Sequence, residues 1–424
     1  MNSVKDSAEI LPAPAVEQAT GSRTAWTQVV LASLLMLATL PGRTQGLGLV
    51  TEPLLADLRL DRLTYASLNL WATLIGALAC FPAGLAIDRF GLRRVTAAIT
   101  LLLGVTVWQL SRFAGSLALL FSLLLATRAL GQSALSVCSI TTVGKWFSRR
   151  VGMAMGIYSV LLSAFFAVAF VAIGYSVRLN GWRAAWLQIA LALVFGVTPL
   201  VLLALREPRD QPARSRPVEE ASPSAPDFTF AQAVRTPAFW LFASAAASFN
   251  LVSSGLGLFN EAVLAERGFD QKTFHLFLAV STLMSLIGQF ACGWLTTRCK
   301  FQTLTLAALA LYAAGLAGIP VVHAPWHLWL VAILLGVAGG MIIVIFFSVW
   351  SEAFGHRHLG RIQGAAQMLR VISSGLGPVL FAACFKAMQS YAPLLFALAF
   401  AVALLALLAA VVRLPQTSMA TAVR

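Results

Sequence analysis

Charge is what this chain has least of. Asp, Glu, Lys and Arg make up 11% of its 424 residues, against about a quarter in a soluble domain. Carboxylates are the scarcer sign, sixteen against thirty Lys and Arg. With 59% hydrophobic residues and a mean hydropathy of +0.83, this excludes a soluble globular domain and leaves a polytopic membrane protein. The five cysteines, Cys80, Cys138, Cys292, Cys299 and Cys384, stand singly in or beside apolar runs. That spacing argues against a disulfide framework or a metal site; packing roles, no metal and no cofactor are expected. No nucleophile–base pair or phosphate-binding loop is present, which argues against an enzyme. A formal charge of +14 does not imply nucleic acid, because the basic residues sit in short loops between apolar runs rather than on one face. The first 23 residues are polar and contain Pro12 and Pro14, with no apolar core following promptly. They read as a disordered cytoplasmic tail rather than a signal peptide.

A membrane span needs about 20 apolar residues. Twelve stretches qualify: 26–50, 64–87, 94–111, 116–143, 151–177, 184–205, 238–260, 273–297, 302–322, 326–349, 360–388 and 391–413. Between the sixth and seventh, Arg206, Pro208, Arg209, Asp210, Pro212, Arg214, Arg216, Pro217, Glu219, Glu220, Pro223 and Pro226 end the hydrophobicity and deny a continuous helix. The expected fold is therefore all-α, with a tail over 1–25, a six-helix bundle over 26–205, a cytoplasmic linker over 206–237, a second bundle over 238–413 and a tail over 414–424. With the N-terminus inside, nineteen Lys and Arg fall in inner loops or tails and eight in outer loops. The positive-inside rule then puts both termini in the cytoplasm and the chain in the cell membrane. Trp326, Trp329 and Trp350 lie near the ends of the tenth span and read as interfacial anchors.

The sequence also repeats. From Gly46 to Arg89 it lies without gaps on Gly255 to Arg298 at an offset of 209, matching Gly46/Gly255, Gly48/Gly257, Glu52/Glu261, Asp61/Asp270, Thr64/Thr273, Thr73/Thr282, Gly84/Gly293 and Arg89/Arg298. A second echo, Arg149, Gly152 and Gly156 against Arg357, Gly360 and Gly364, has an offset of 208. Two copies of one membrane unit in the same orientation are implied.

The hairpin after the second span reads Gly84-Leu-Ala-Ile-Asp88-Arg89-Phe-Gly91-Leu-Arg93-Arg94. Gly84 allows close helix packing, Gly91 a tight turn, and Asp88 can accept hydrogen bonds from a neighbouring helix terminus or pair with a basic residue. This run resembles the signature loop of the major facilitator superfamily. Similar to that superfamily too are Trp146-Phe-Ser-Arg-Arg150, Gly181-Trp-Arg183, Thr236-Pro-Ala-Phe-Trp240 and Phe354-Gly355 through Leu359-Gly-Arg361. The second copy of the hairpin keeps Gly293 and Arg298 but has Thr297 where Asp88 would stand. The resemblance implies a secondary transporter with two six-helix bundles around a midplane cavity, rocking between outward-open and inward-open states. Gly84, Asp88, Arg89, Gly91 and Arg93 would belong to its inner gate. Arg128 is similar to a basic residue the superfamily often carries on the fourth span. Gln132 stands where the family's glycine is usual. Arg128 is grouped with the inner gate, with inter-helix hydrogen bonding as its alternative.

Three arginines lie inside apolar spans: Arg43, Arg128 and Arg370. A charge at membrane depth costs at least about 2.5 kcal/mol on insertion scales, so it usually faces a wet cavity or a partner. Arg370 lies ten residues into the eleventh span, about 15 Å from its inner end. It shares a polar stripe with Gln363, Gln367 and Ser374. Arg43 follows Pro41-Gly42, a pair expected to bend the first helix, and Thr39, Gly46 and Val50 share its helical face. Arg43 and Arg370 are expected to present guanidinium groups to an anion; holding the bundles together is the alternative. Further substrate candidates by helical face are Asn69, Tyr158, Asn250 and Ser254, each also readable as an inter-helix hydrogen bond. Glu52, Glu261 and His275, near the outer ends of their spans, are candidate outer-gate or proton-coupling groups.

The outer half of the first span, with Pro41-Gly42-Arg43, resembles more loosely the monocarboxylate and oxalate/formate porters, although Ser281 to Cys292 holds no charged residue where those families carry one. The expected function is transport of a small organic anion, monocarboxylate-like, by proton symport or anion exchange. Alternatives are a neutral or zwitterionic solute with structural arginines, and a transporter-like sensor. The expected partners are that anion, protons and the lipid bilayer, and a monomer suffices because one bundle pair is complete in this fold.

Overall fold

The computed structural model describes residues 15–60, 62–147, 151–207, 228–269, 271–412 and 414–415. The middle of the expected linker, 208–227, lies outside them, as do the side chains of Glu52, Glu261 and His275. Every regular element among the described residues is helical.

Among the described residues, eleven helical runs are long and apolar enough to cross a membrane. One of them, Val151–Ala204, has 54 residues and would reach about 81 Å as a single rod, far beyond the roughly 30 Å hydrocarbon core. It is two helices joined at Gly181, whose φ of 78° and ψ of 164° break the run. Twelve crossings result: α1 Arg23–Gly42, α2 Thr64–Phe90, α3 Leu92–Ser111, α4 Leu117–Trp146, α5 (151–180), α6 (182–204), α7 Pro237–Gly257, α8 Leu276–Leu295, α9 Phe301–Val321, α10 Pro325–Phe354, α11 Leu359–Met388 and α12 Ala392–Val411. The even number puts Arg23 and Val411 on one face of the membrane, here the terminus side. The first span stops at Gly42 rather than Val50, because Pro41 donates no N–H and the helix tightens to a 3₁₀ turn over Leu40–Gly42.

The two halves pack alike. In the first, α1 lies along α5 and α2 along α4; in the second, α7 lies along α11 and α8 along α10. Between halves, α2 meets α11 and α5 meets α8, which are the same contact exchanged by the repeat. Glycines make this visible. A Cβ added to Gly84 would stand 2.1 Å from the Gly360 carbonyl oxygen. One added to its repeat mate Gly293 would stand 2.9 Å from the Gly156 Cα and 3.2 Å from the Gly152 oxygen. Likewise Gly364 faces the Cys80 carbonyl, and Gly156 faces that of Gln289, the repeat position of Cys80. Backbone therefore lies directly on backbone at both crossings.

A second pair of equivalent contacts holds the opposite face. Asp57 accepts hydrogen bonds from Trp182 Nε1 (3.0 Å) and Arg183 Nε (2.9 Å) at the start of α6. Glu266, 209 residues on, accepts from the Tyr391 amide (3.0 Å) and the Ser390 hydroxyl at the start of α12. The repeat thus extends to residues whose identities differ but whose chemistry is shared.

Two clusters of buried residues form the core: one lies almost wholly in the first half, with Trp186 fully buried, and the other fills the second half, with Trp350 fully buried, and extends into the first through Met36, Ile140 and Tyr158. Trp350 is therefore no interfacial anchor: it stacks on Phe354, meets Phe346 edge-on and lies tilted against Phe239, because its end of α10 is covered by α7. Trp326, at the other end of α10, is 65% exposed and free to meet the bilayer interface.

A leucine at position 84 has nowhere to go, and overpacking of this kind costs about 2 kcal/mol or more. Gly84→Leu is expected to lower the unfolding temperature in detergent, while Gly174→Leu, where an added Cβ meets nothing within 4 Å, leaves it unchanged.

Candidate functional site

The bend in α1 creates the first feature of the site. Gly42 sits so close to α4 that a Cβ there would lie 2.2 Å from the Thr127 carbonyl oxygen. Arg43 follows in extended conformation, φ −96° and ψ 152°, before a short helix over Thr44–Gly48. The expected helical face through Thr39, Arg43, Gly46 and Val50 therefore breaks at Arg43. Only Thr39 stays with it, accepting from Nε at 2.6 Å. The outer guanidinium nitrogen donates to Ser136 Oγ on α4 (3.1 Å) and to the Met36 sulfur (2.8 Å). The Phe166 ring lies 5.7 Å from the guanidinium carbon.

Arg370 approaches from the second half. It is half-buried midway along α11, with its guanidinium over the faces of Phe346 (5.1 Å) and Phe347 (5.5 Å) of α10. The guanidinium's only hydrogen bond among the described residues is a 3.5 Å contact to Gln367 Oε1. Tyr158 of α5 joins the two sides. Its ring meets Phe347 edge-on at 5.4 Å, its hydroxyl pairs with Ser139 at 2.9 Å, and it lies within the electrostatic field of both arginines. Arg43 and Arg370 are also within each other's field. Among the described residues, neither has a carboxylate at ion-pair distance. The structure thus brings Arg43, Tyr158, Gln367 and Arg370 to one place, together with Ser136, Ser139, Phe166, Phe346 and Phe347, which the helical-face reading does not select.

The other substrate candidates make hydrogen bonds between helices or within their own. The Asn250 amide donates to the Arg370 carbonyl at 3.2 Å, tying α7 to α11. Ser254 and Ser374 bond carbonyls of their own helices, those of Leu251 and Val371. Asn69 accepts from Arg128 at 3.0 Å.

Arg128, grouped by sequence with the inner gate, stands away from Asp88 and Arg93. It lies eighteen residues before Trp146, about 27 Å from the terminus-side end of α4. It is buried and donates to the Gly42 carbonyl (3.2 Å), Thr44 Oγ1 (3.1 Å), Gln132 Oε1 (2.7 Å) and Asn69 Oδ1. These bonds lock α1, α2 and α4 to one another. A π-helical stretch over Arg128–Leu135 rotates the following residues. Ser136, the first residue after that stretch, serves Arg43.

At the terminus side Asp88 reaches across to the other half. Its carboxylate, 2% exposed, accepts from the backbone amides of Gly360 (3.2 Å) and Arg361 (3.1 Å) in the first turn of α11, with Arg361 Nε at 3.5 Å. An anion at a helix N-terminus meets both unpaired donors and the positive end of the helix dipole. Gly84 packs one turn away, and Gly91, at φ +88°, turns the chain into α3. Arg93 faces its own half, bonding Glu207 through its amide (3.2 Å) and the Leu202 carbonyl through its side chain. Arg89 is exposed and stacks on Phe90 at 5.3 Å. Thr141 of α4 donates to Gln363 of α11 at 2.8 Å, a further buried bond between halves. In the second copy Thr297 bonds only its own helix, and Thr296 packs on Gly152.

Comparison with known proteins gives this arrangement a family. The model of the Major Facilitator Superfamily matches residues 31–378 and 261–422. An uncharacterized 38 kDa protein in the 23S RNA operon of Thermoproteus tenax is 25% identical over 386 residues, 88% of this chain and 89% of that one. Among solved structures, a variant of the E. coli fucose:proton symporter FucP superposes with a TM-score of 0.67 at 15% identity, covering 91% of this chain and 98% of that one. The human organic anion transporter MFSD10 gives 0.64 at 17% identity, covering 94% and 99%. FucP in the outward conformation gives 0.62 at 17%, covering 91% and 99%. The match across nearly the whole length, together with the twelve crossings and their internal repeat, establishes that the chain belongs to the major facilitator superfamily and is a membrane transporter rather than an enzyme.

Proposed function

We propose that the protein carries a small organic anion, monocarboxylate-like, across the cell membrane by alternating access, as a monomer with both termini in the cytoplasm. The observation that supports this most is the pair of half-buried guanidiniums, Arg43 of the first half and Arg370 of the second, brought toward one another across Tyr158 and Phe347, with no carboxylate partner among the described residues. Fold likeness does not choose the cargo, since a fucose symporter and an organic anion transporter share it. Charge does. A guanidinium binds a carboxylate through two parallel hydrogen bonds, each stronger than a neutral one. The rings of Phe166, Phe346 and Phe347 give the organic part of the cargo an apolar wall. Arg128 shows the opposite case: four acceptors surround it, so it has little left to offer a ligand.

Asp88 supports the transport cycle rather than binding. Its two bonds to the α11 amides close the terminus side, and they must break for cargo to leave there.

Two measurements test this reading. In proteoliposomes a labelled monocarboxylate panel is expected to give uptake, with a pH gradient driving it for symport or internal anion driving it for exchange. Arg43→Ala and Arg370→Ala should each lose binding by about a hundredfold, the cost of a charged hydrogen-bonding partner at roughly 1.5–3 kcal/mol or more, while the protein stays folded by circular dichroism. Unchanged uptake in both variants refutes the anion site. Asp88→Asn is expected to change turnover about tenfold, since a charge-assisted bond is worth on the order of 1.5–3 kcal/mol, with cargo affinity within about twofold. Lost affinity at normal turnover contradicts the gate assignment.

A further inference from the structure

A cavity lies beside the α1 bend. It measures about 530 Å³ and is bounded by α1 from Leu34 to Pro41, by Ala169 and Ile173 of α5, and by α6 from Ile189 to Leu200. Every residue lining it is aliphatic, proline or glycine. Two irregularities open it: the 3₁₀ turn at Leu40–Gly42 and a π-helical stretch over Ala192–Val197. Gly196 stands in the π stretch, where an added Cβ would meet nothing within 4 Å.

The cavity continues toward the terminus side. A smaller one of about 270 Å³ shares Leu34 and Leu200 with it and ends at Thr27, Gln28 and Ala204. Gln28, 3% exposed, closes that end by donating to the Ala204 carbonyl (3.0 Å) and accepting the Arg206 amide (3.2 Å). Two exposed cations flank it: Arg206 itself, and Arg23, one helical turn before Thr27. From Thr27 to Pro41 there are fourteen residues, a rise of about 21 Å. That is half the roughly 40–45 Å thickness of a bilayer with its headgroups.

We propose that this groove binds one acyl chain of an anionic phospholipid from the terminus-side leaflet. The headgroup lies beside Thr27 and Gln28 between Arg23 and Arg206, and the chain end backs the bend that carries Arg43. The length, the wholly aliphatic wall and the basic polar mouth each match a part of that molecule. Nothing else abundant at this depth combines an apolar tail of such length with a negative head. Filling the groove supports the bend from the side that the protein leaves open, since Gly42 is already gripped by Thr127 on the other. The inference does not depend on the identity of the cargo.

The test compares the detergent-purified full chain with added phosphatidylglycerol and phosphatidylcholine, reading the lipid-dependent rise in unfolding temperature and the lipid retained in native mass spectra. Wild type is expected to saturate with phosphatidylglycerol at about tenfold or more lower mole fraction, because each basic residue near an anionic headgroup adds attraction. Gly196→Phe fills the groove; it should melt like wild type without lipid and lose the response to both lipids. If it fails to fold, Ala192→Phe, on the same wall and exposed, carries the same expectation. Arg23→Gln combined with Arg206→Gln should respond to both lipids equally. Equal saturation by the two lipids in wild type, or a full response in the groove-filling variant, overturns the proposal.

Discussion

A guanidinium at membrane depth must be neutralised or solvated, and the structure answers that constraint in two different ways. Arg128 is held by the protein itself: a carbonyl exposed by the bend in α1, a hydroxyl and two amide oxygens converge on its outer nitrogens, and only Nε is left without a partner among the described residues. Arg370 is not, having aromatic faces and one long hydrogen bond. Arg43 lies between these cases, positioned by Thr39 and Ser136 but with its charge unopposed by any carboxylate among the described residues. The position of the bend follows from the same constraint. Pro41 and Gly42 free the carbonyl that Arg128 needs and turn Arg43 out of the helix.

The two halves are free to supply one arginine each because of how they meet. At α2–α11 and at α5–α8 the contact is glycine against backbone, with little side-chain surface to pull apart. Such crossings need close approach but few specific bonds. Specificity is added separately, and asymmetrically. Asp88 latches α2 to the amides of α11, whereas the equivalent crossing of α8 and α5 has Thr297 turned onto its own helix.

The spans, the repeat and the family are legible in the sequence because each rests on a signal spread over many residues: hydropathy over twenty at a time, glycines at a constant offset. Much of the site is not legible in that way. Ser136 could not be assigned to Arg43 by helical spacing, because a π stretch and a 3₁₀ turn shift the faces on both partners. Phe346 and Phe347 look like ordinary α10 core, and only the position of Arg370 above them gives them a role. Trp350 misleads for the opposite reason, since a tryptophan at a helix end is an anchor only if that end meets lipid, and α7 covers it. The Asp57 and Glu266 staples are visible in the repeat only once charge, rather than identity, is compared.

One helix joins Arg370 to the latch. The first turn of α11 gives its amides to Asp88, Gln363 receives Thr141, and Arg370 follows ten residues after Gly360, about 15 Å along the same rod. The Arg370 carbonyl is held by Asn250, so α7 must follow wherever α11 goes. On the proposed reading, an anion drawn between Arg43 and Arg370 attracts a whole half rather than one side chain. The force acts on a helix whose near end is fixed by two amide bonds and whose middle is not fixed to the first half by any charged pair among the described residues. A rod held at one end and pulled in its middle pivots about the held end. On the same reading, such pivoting would draw the two arginines together before the Asp88 bonds break, an order in which a path between the halves need never be open to both faces at once.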